Sequence, residues 1–344
     1  MKQVRIALLG MGRIGKIHFR NISQHFPGAA IGAVADPQYD AQAFKNEFGN
    51  VFFTQNAEEA IKSSEIDAVL ICTPTSSHAD LLEQAAHAGK HIFCEKPMDL
   101  SLERTAALTK LVNQKNVKLM LGFNRRFDPD FMQARKYIID GKVGAVQIVK
   151  ITSRDPGLPP IDYIKNSGGL FMDMAIHDFD MARYMMDKKV VEVFAKGLVL
   201  IDEAVATAGD VDTALTTLTF EDGTYAVIDN SRKAVYGYDQ RLEIFGDGGM
   251  IQVENNLHNR NVVYDEKGIH RALPLDFFMD RYSASYLNEM KLFIDALVNN
   301  NPMPVSGDDG LEATRIAIAA KISMEKGRPV KLSEITSSTK ELVS

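Results

Sequence analysis

Val4-Arg5-Ile6-Ala7-Leu8-Leu9-Gly10-Met11-Gly12-Arg13-Ile14-Gly15-Lys16-Ile17-His18 decides the fold class. A short apolar run ends in glycines spaced Gly-x-Gly-x-x-Gly and then turns helical. The first glycine permits a tight turn, the second lets backbone approach a pyrophosphate, and the third allows close helix–strand packing. Amides at the helix N-terminus would meet the phosphate charge. Asp36 closes the next strand-like run, 21 positions after Gly15. An acid there accepts from the adenosine ribose hydroxyls and repels a 2′-phosphate, favouring NAD over NADP. The competing reading is a turn residue, because Asp36-Pro37 also starts turns.

Working outward, residues 4–9, 30–35, 51–53, 68–72, 91–94 and 117–122 read as strands, with helical stretches such as 77–88 and 102–114 between them. This alternation predicts βαβ crossovers and a Rossmann-type, doubly wound parallel sheet over residues 1–122. After that the pattern changes. Helices are expected over 129–140 and 170–186, then strands over 146–153, 190–200, 213–220, 224–230, 241–245, 250–253 and 262–265, then helices over 284–299 and 310–326. Residues 123–344 therefore read as an α+β domain with a large open, mainly antiparallel sheet. Strand 224–230 carries apolar residues on both faces, which predicts an oligomer covering the bare one.

At 344 residues, with a net charge of −6, 45% hydrophobic and 24% charged residues, the chain reads as globular. The acidic balance argues against nucleic acid or an anionic membrane surface as partner. No apolar run reaches the roughly 18 residues of a membrane span, and the opening apolar run is too short for a signal-peptide core. Cys72 and Cys94 sit in apolar strands without Cys-x-x-Cys spacing, so reduced buried thiols and a cytoplasmic setting are expected.

Two further stretches carry chemistry. Cys94-Glu95-Lys96-Pro97 ends a strand on the carboxyl edge, where Lys96 could hydrogen-bond a substrate hydroxyl; an exposed ion pair is the alternative. Asp173, His177 and Asp180 fall at i, i+4 and i+7, so they should share a helical face on which a carboxylate can orient a basic imidazole. Ile71 to His78 leaves another strand through small polar residues that line a cofactor crevice, unless Ser76 or Ser77 merely caps the next helix. Asn124-Arg125-Arg126 and the turn Tyr236 to Arg241 stay open between ligand contact and solvated surface. No spacing suggests a metal, and hydride transfer to nicotinamide needs none.

Gly10 through His18, Glu95-Lys96-Pro97, Ser153-Arg154-Asp155-Pro156, the stretch Ser167 to Arg183, and Tyr236 to Arg241 together resemble the Gfo/Idh/MocA oxidoreductases, in particular the inositol 2-dehydrogenase branch. The resemblance covers essentially the whole chain. It implies a homotetramer, NAD bound through Gly10, Gly12, Arg13, Ile14, Gly15, Asp36, Thr73, Pro74, His78, Glu95 and Lys96, and a cis Lys96–Pro97 bond. It implies a catalytic set of Lys96, Asp173 and His177, with Arg126, Asp155, Asp180 and Tyr236 as further hydroxyl contacts. The implied reaction oxidises a ring secondary alcohol, myo-inositol giving its 2-keto form. Alternatives within the same scaffold are scyllo-inositol or another sugar or polyol; a non-enzymatic NAD sensor is the alternative of another class.

Overall fold

The structure, a computed structural model, describes residues 3–336. The chain forms two compact units, Met1–Asn124 with Ser285–Glu312, and Arg125–Ala284 with Ala313–Ser344. None of its described helices is long and apolar enough to cross a membrane.

The first unit runs β1 (Val4–Leu9), α1 (Arg13–His25), β2 (Ala29–Ala35), α2 (Ala41–Phe48), β3 (Phe52–Thr54), α3 (Ala57–Lys62), β4 (Ala68–Ile71), α4 (His78–His87), β5 (His91–Cys94), α5 (Leu102–Lys115) and β6 (Leu119–Leu121). Its six strands are all parallel in the order β3-β2-β1-β4-β5-β6. Ile6 to Leu9 and Ala68 to Ile71 are fully buried, as strands covered on both faces must be. Ser101 caps α5 through the Arg104 amide, and Asn116 in the left-handed region ends it.

Segment 285–312 belongs to this unit although it lies far along the chain. Tyr286, Met290, Phe293 and Ile294 recur at helical spacing and are buried. Phe293 stands edge-on to Phe93, centroids 5.6 Å apart. Burying one such side chain is worth about 1.5–3 kcal/mol. Lys118 ties the return with bonds to the Ala296 and Asn301 carbonyls at 3.1 and 2.6 Å.

The second unit begins with α6 (Pro129–Ile139), β7 (Val146–Arg154), α7 (Ile161–Asn166), α8 (Gly169–Asp173) and α9 (Ile176–Met186). It continues through β8 (Val190–Leu198), α10 (Glu203–Thr207), β9 (Thr213–Phe220), β10 (Tyr225–Ser231), β11 (Asp239–Gly246), β12 (Gly249–Val253), β13 (Val262–Asp265), β14 (Gly268–Arg271) and α11 (Phe278–Arg281). Helices α12 (Ser283–Val298) and α13 (Gly307–Lys326) and strand β15 (Val330–Lys331) complete the described elements. Seven strands order as β12-β11-β7-β10-β9-β8-β15. The tight-turn pairs β9–β10 and β11–β12 are antiparallel as expected, whereas β7 and β10 run parallel at the centre. The run 262–265 pairs with β14 in its own hairpin rather than joining the large sheet.

One correction bears on the site. The expected single helix over 170–186 is two helices. The amides of Met174 and Ala175 both bond the Leu170 carbonyl, at 3.0 and 2.9 Å, and the ladder restarts with Asp178 on Ala175. This widened turn separates Asp173, the last residue of α8, from His177 and Asp180 on α9. The three do not lie on one continuous helical face.

Candidate active site

In the first unit the glycines do what their spacing demands. Gly10 has φ +92, and a Cβ there would lie 2.8 Å from the Cys72 carbonyl; a Cβ on Gly15 would lie 2.0 Å from the Gly10 oxygen. At Gly12 a Cβ would meet nothing within 4 Å, so the space before α1 is open. That combination of a bare backbone cradle and a helix N-terminus fits a dinucleotide pyrophosphate. Arg13 is exposed and Ile14 half-buried beside it.

Asp36 makes the bond that the turn reading expects and a second one into the glycine loop. Its Oδ1 accepts from the Gln38 amide at 2.8 Å, the turn bond, while Oδ2 accepts from the Met11 amide at 2.7 Å inside the glycine loop. Its carboxylate is thereby fixed at the end of β2, where a ribose would be met.

The loop after β4 holds Thr73 half-buried and Pro74 exposed. Ser77 stands at the N-cap position of α4 without capping it; its hydroxyl instead donates to Thr73 Oγ1 or the Pro74 carbonyl, at 2.7 and 2.8 Å. His78, expected as a cofactor contact, is buried, with Nδ1 2.8 Å from the Pro97 carbonyl and Nε2 2.8 Å from that of Thr73. The ring N–H can donate to either carbonyl, so the imidazole sits between this loop and the Lys96–Pro97 peptide, which is cis. Glu95 and Lys96 are half-buried at the end of β5, and Glu95 Oε1 lies 3.2 Å from Nε2 of His18.

In the second unit Asp173 accepts from the Tyr163 hydroxyl at 2.8 Å and from Arg232 Nη1 at 3.3 Å. His177 is half-buried in the first turn of α9. Asp155, just past β7, lies 4.0 Å from the same Arg232 nitrogen, and Asp210 lies 3.7 Å from Nη2. Burial pushes the Asp155 carboxyl up to about 6 against the pull of Arg232, and burial raises Asp210 as well. Three carboxylates thus converge on one guanidinium that is 1% exposed.

Two of the expected hydroxyl contacts are paired with each other. Arg126 grips Asp180 in two parallel bonds, Nε to Oδ2 at 2.7 Å and Nη2 to Oδ1 at 2.5 Å, with Asp180 only 1% exposed. Fork geometry of this kind fills both carboxylate oxygens. Behind it Arg125 pairs with buried Asp178, which also accepts from Asn230 at 2.8 Å. Tyr236 is half-buried; its hydroxyl donates to Asp239 at 2.6 Å and accepts from Arg154 at 3.1 Å.

Sequence reasoning missed Arg232, Asp210 and Tyr163. Arg232 directly follows β10, whose last residues are the polar Asp229-Asn230-Ser231, so it lacks the apolar strand end that singled out Lys96.

The chain matches two family descriptions: "Oxidoreductase family, NAD-binding Rossmann fold" over residues 4–123 and "GFO/IDH/MocA C-terminal domain" over residues 131–252. It is 48% identical to the inositol 2-dehydrogenase of Rhizobium meliloti, covering 96% of this chain and 99% of that one. It is 45% identical to the myo-inositol 2-dehydrogenase of Thermotoga maritima, covering 96% and 99%. Among solved structures, the scyllo-inositol dehydrogenase of Lactobacillus casei with bound NAD(H) and scyllo-inositol superposes with TM-score 0.90 at 32% identity, over 96% of this chain and all of that one.

Proposed function

From the premise that this chain belongs to the Gfo/Idh/MocA oxidoreductase family, we propose that it oxidises a ring secondary alcohol of an inositol, myo-inositol to its 2-keto form, with NAD as acceptor. The relatives at 45–48% identity support that substrate by their activity. The observation that carries the reading is the open cradle at Gly12 beside a carboxylate already fixed at Asp36.

Gly10, Gly12 and the N-terminus of α1 would hold the pyrophosphate, Asp36 the adenosine ribose, and Thr73, Pro74 and Lys96 the remaining edge. NAD supplies the hydride acceptor. Lys96 donates a hydrogen bond to the substrate hydroxyl oxygen and stabilises the charge that develops there. His177 takes the hydroxyl proton. Asp173, held by Tyr163 and Arg232, is the fixed negative charge that favours a protonated imidazole. Asp155 and Tyr236 are hydroxyl contacts. Arg126 and Asp180 act on the substrate as a pair.

We place the enzyme in the cytoplasm as a homotetramer. Leu198, Leu215, Tyr225, Phe245 and Met250 stand exposed along the large sheet, and burying such a face drives association.

Steady-state formation of NADH, followed by absorbance over myo-inositol, scyllo-inositol and a panel of aldoses, tests the assignment. Highest kcat/KM on myo-inositol is expected. A preference for scyllo-inositol would move the substrate within the family, and no turnover of any polyol or sugar would sink the enzymatic reading.

A further inference from the structure

Glu289, on the buried face of α12, is 0% exposed, and neither of its carboxyl oxygens has a hydrogen-bond partner. Leaving a buried carboxyl without a hydrogen-bond partner is unfavourable, so its retention asks for a reason. Its Oε1 lies 3.8 Å from Nε2 of His18, itself fully buried, and the same nitrogen lies 3.2 Å from Glu95 Oε1. The imidazole is held edge-on by Phe93 and Tyr286, centroids 5.4 and 5.8 Å away. On the other side Gly122 leaves room for the Glu95 carboxyl: a Cβ there would stand 2.8 Å from Oε2. Glu95 therefore sits in a built slot, floored by Gly122 and closed by His18 and Glu289, immediately before Lys96.

We propose that His18 and Glu289 are positioning residues for Lys96, clamping the side chain of Glu95 so that the backbone delivering the lysine has one placement. The proposal rests on the catalytic role given to Lys96 above. Glu95 and Cys72 at the strand ends of the sheet and His18 from α1 are titratable groups that face Glu289. Two ionised carboxylates beside one imidazole would be strongly unfavourable in this interior. Burial, then the charge of Glu95, push the Glu289 carboxyl well up, which favours its neutral form. His18 donates Nε2–H to Glu95, and the neutral Glu289 closes the slot without a competing charge. A metal is the poorer reading of the same corner. Cys72 comes within 4.8 Å of His18 and Glu95, but Nε2 of His18 already lies at direct hydrogen-bond distance, 3.2 Å, from Glu95 Oε1.

The test compares His18→Phe, Glu289→Leu and Glu289→Gln with the native enzyme on myo-inositol and NAD+. His18→Phe keeps an aromatic ring between Phe93 and Tyr286 and removes the bond to Glu95. It should lower kcat about 10- to 100-fold, the scale of a small misplacement at the reacting centre, with the KM for NAD+ little changed. Glu289→Leu should be slowed in the same sense while its urea midpoint is native or higher, because the orphaned carboxyl is gone. Glu289→Gln, neutral and isosteric with the protonated carboxyl, should keep kcat within about threefold. Native kcat in folded His18→Phe or Glu289→Leu, or a Gln variant as slow as Leu, would overturn the proposal. If His18→Phe does not fold, the Glu289 pair decides alone. Native turnover in Lys96→Ala would instead remove the catalytic reading beneath it, so the two failures are distinguishable.

Discussion

Arg232 Nη1 lies 3.3 Å from Asp173 Oδ2, and the guanidinium is 1% exposed. Asp173 is therefore not a lone acid waiting to orient an imidazole. It is one of three carboxylates, with Asp155 and Asp210, that share a buried cation. The cation holds Asp173 in place, and the surplus of negative charge keeps the neighbourhood favourable to a proton.

Arg232→Met should therefore be strongly destabilising. Removing one partner of a buried ionic group typically costs about 3–5 kcal/mol, because the charges left behind are uncompensated. The measurement is urea unfolding at pH 7. A loss below about 1 kcal/mol would show that water, not Arg232, balances these carboxylates.

His177→Ala should cut kcat by about 10²–10⁴, the usual contribution of a positioned acid–base group, while the affinity for NAD+, measured by fluorescence titration, stays native. Turnover of the native enzyme should fall at low pH as the imidazole protonates. Asp173→Asn combined with His177→Ala should be far less impaired than the product of the single effects, since groups acting as a unit are not additive. A folded His177→Ala enzyme with native kcat would take His177 out of the mechanism.

The Asp36 carboxylate, pinned by the Met11 and Gln38 amides, cannot swing away from a 2′-phosphate. kcat/KM should favour NAD+ over NADP+ by about 10-fold or more, and Asp36→Ser should narrow the gap. Equal efficiencies in the native enzyme would contradict this placement.

Asp155 gives a pH signature of stability. Its carboxyl ionises at about 6 in the fold against an ordinary 3.8, so between those values the folded chain holds a proton that the unfolded chain has released. Stability from this group is full below about pH 4 and is lost as the pH rises to about 6. Asp155→Asn removes the loss, worth up to about 3 kcal/mol at 1.36 kcal/mol per unit. Relative to native, the variant should gain stability between pH 4.5 and 7 in urea titrations; parallel curves would refute it.

What the sequence alone determined was whatever a few adjacent residues impose. Gly10, Gly12 and Gly15 specify a strand, a turn and a helix start within one short stretch, because only glycine tolerates the Gly10 conformation and the Gly15 contact. The strand-end positions of Asp36 and Lys96 follow from the same local alternation. Tertiary structure decided everything that depends on distant partners. Arg126 and Asp180, 54 positions apart, face each other only because α9 packs inside the second unit. Segment 285–312 returns to the first unit because Tyr286, Met290, Phe293 and Ile294 find their apolar surface there, and Glu289 reaches His18 only through that return. Helical spacing placed Asp173 and His177 on one stripe, but the widened turn at Met174–Ala175 is a backbone hydrogen-bond choice that side-chain periodicity does not record. Local conformation is encoded by neighbours in the chain; the placement of charges is encoded by packing, which sums weak contacts across the whole fold.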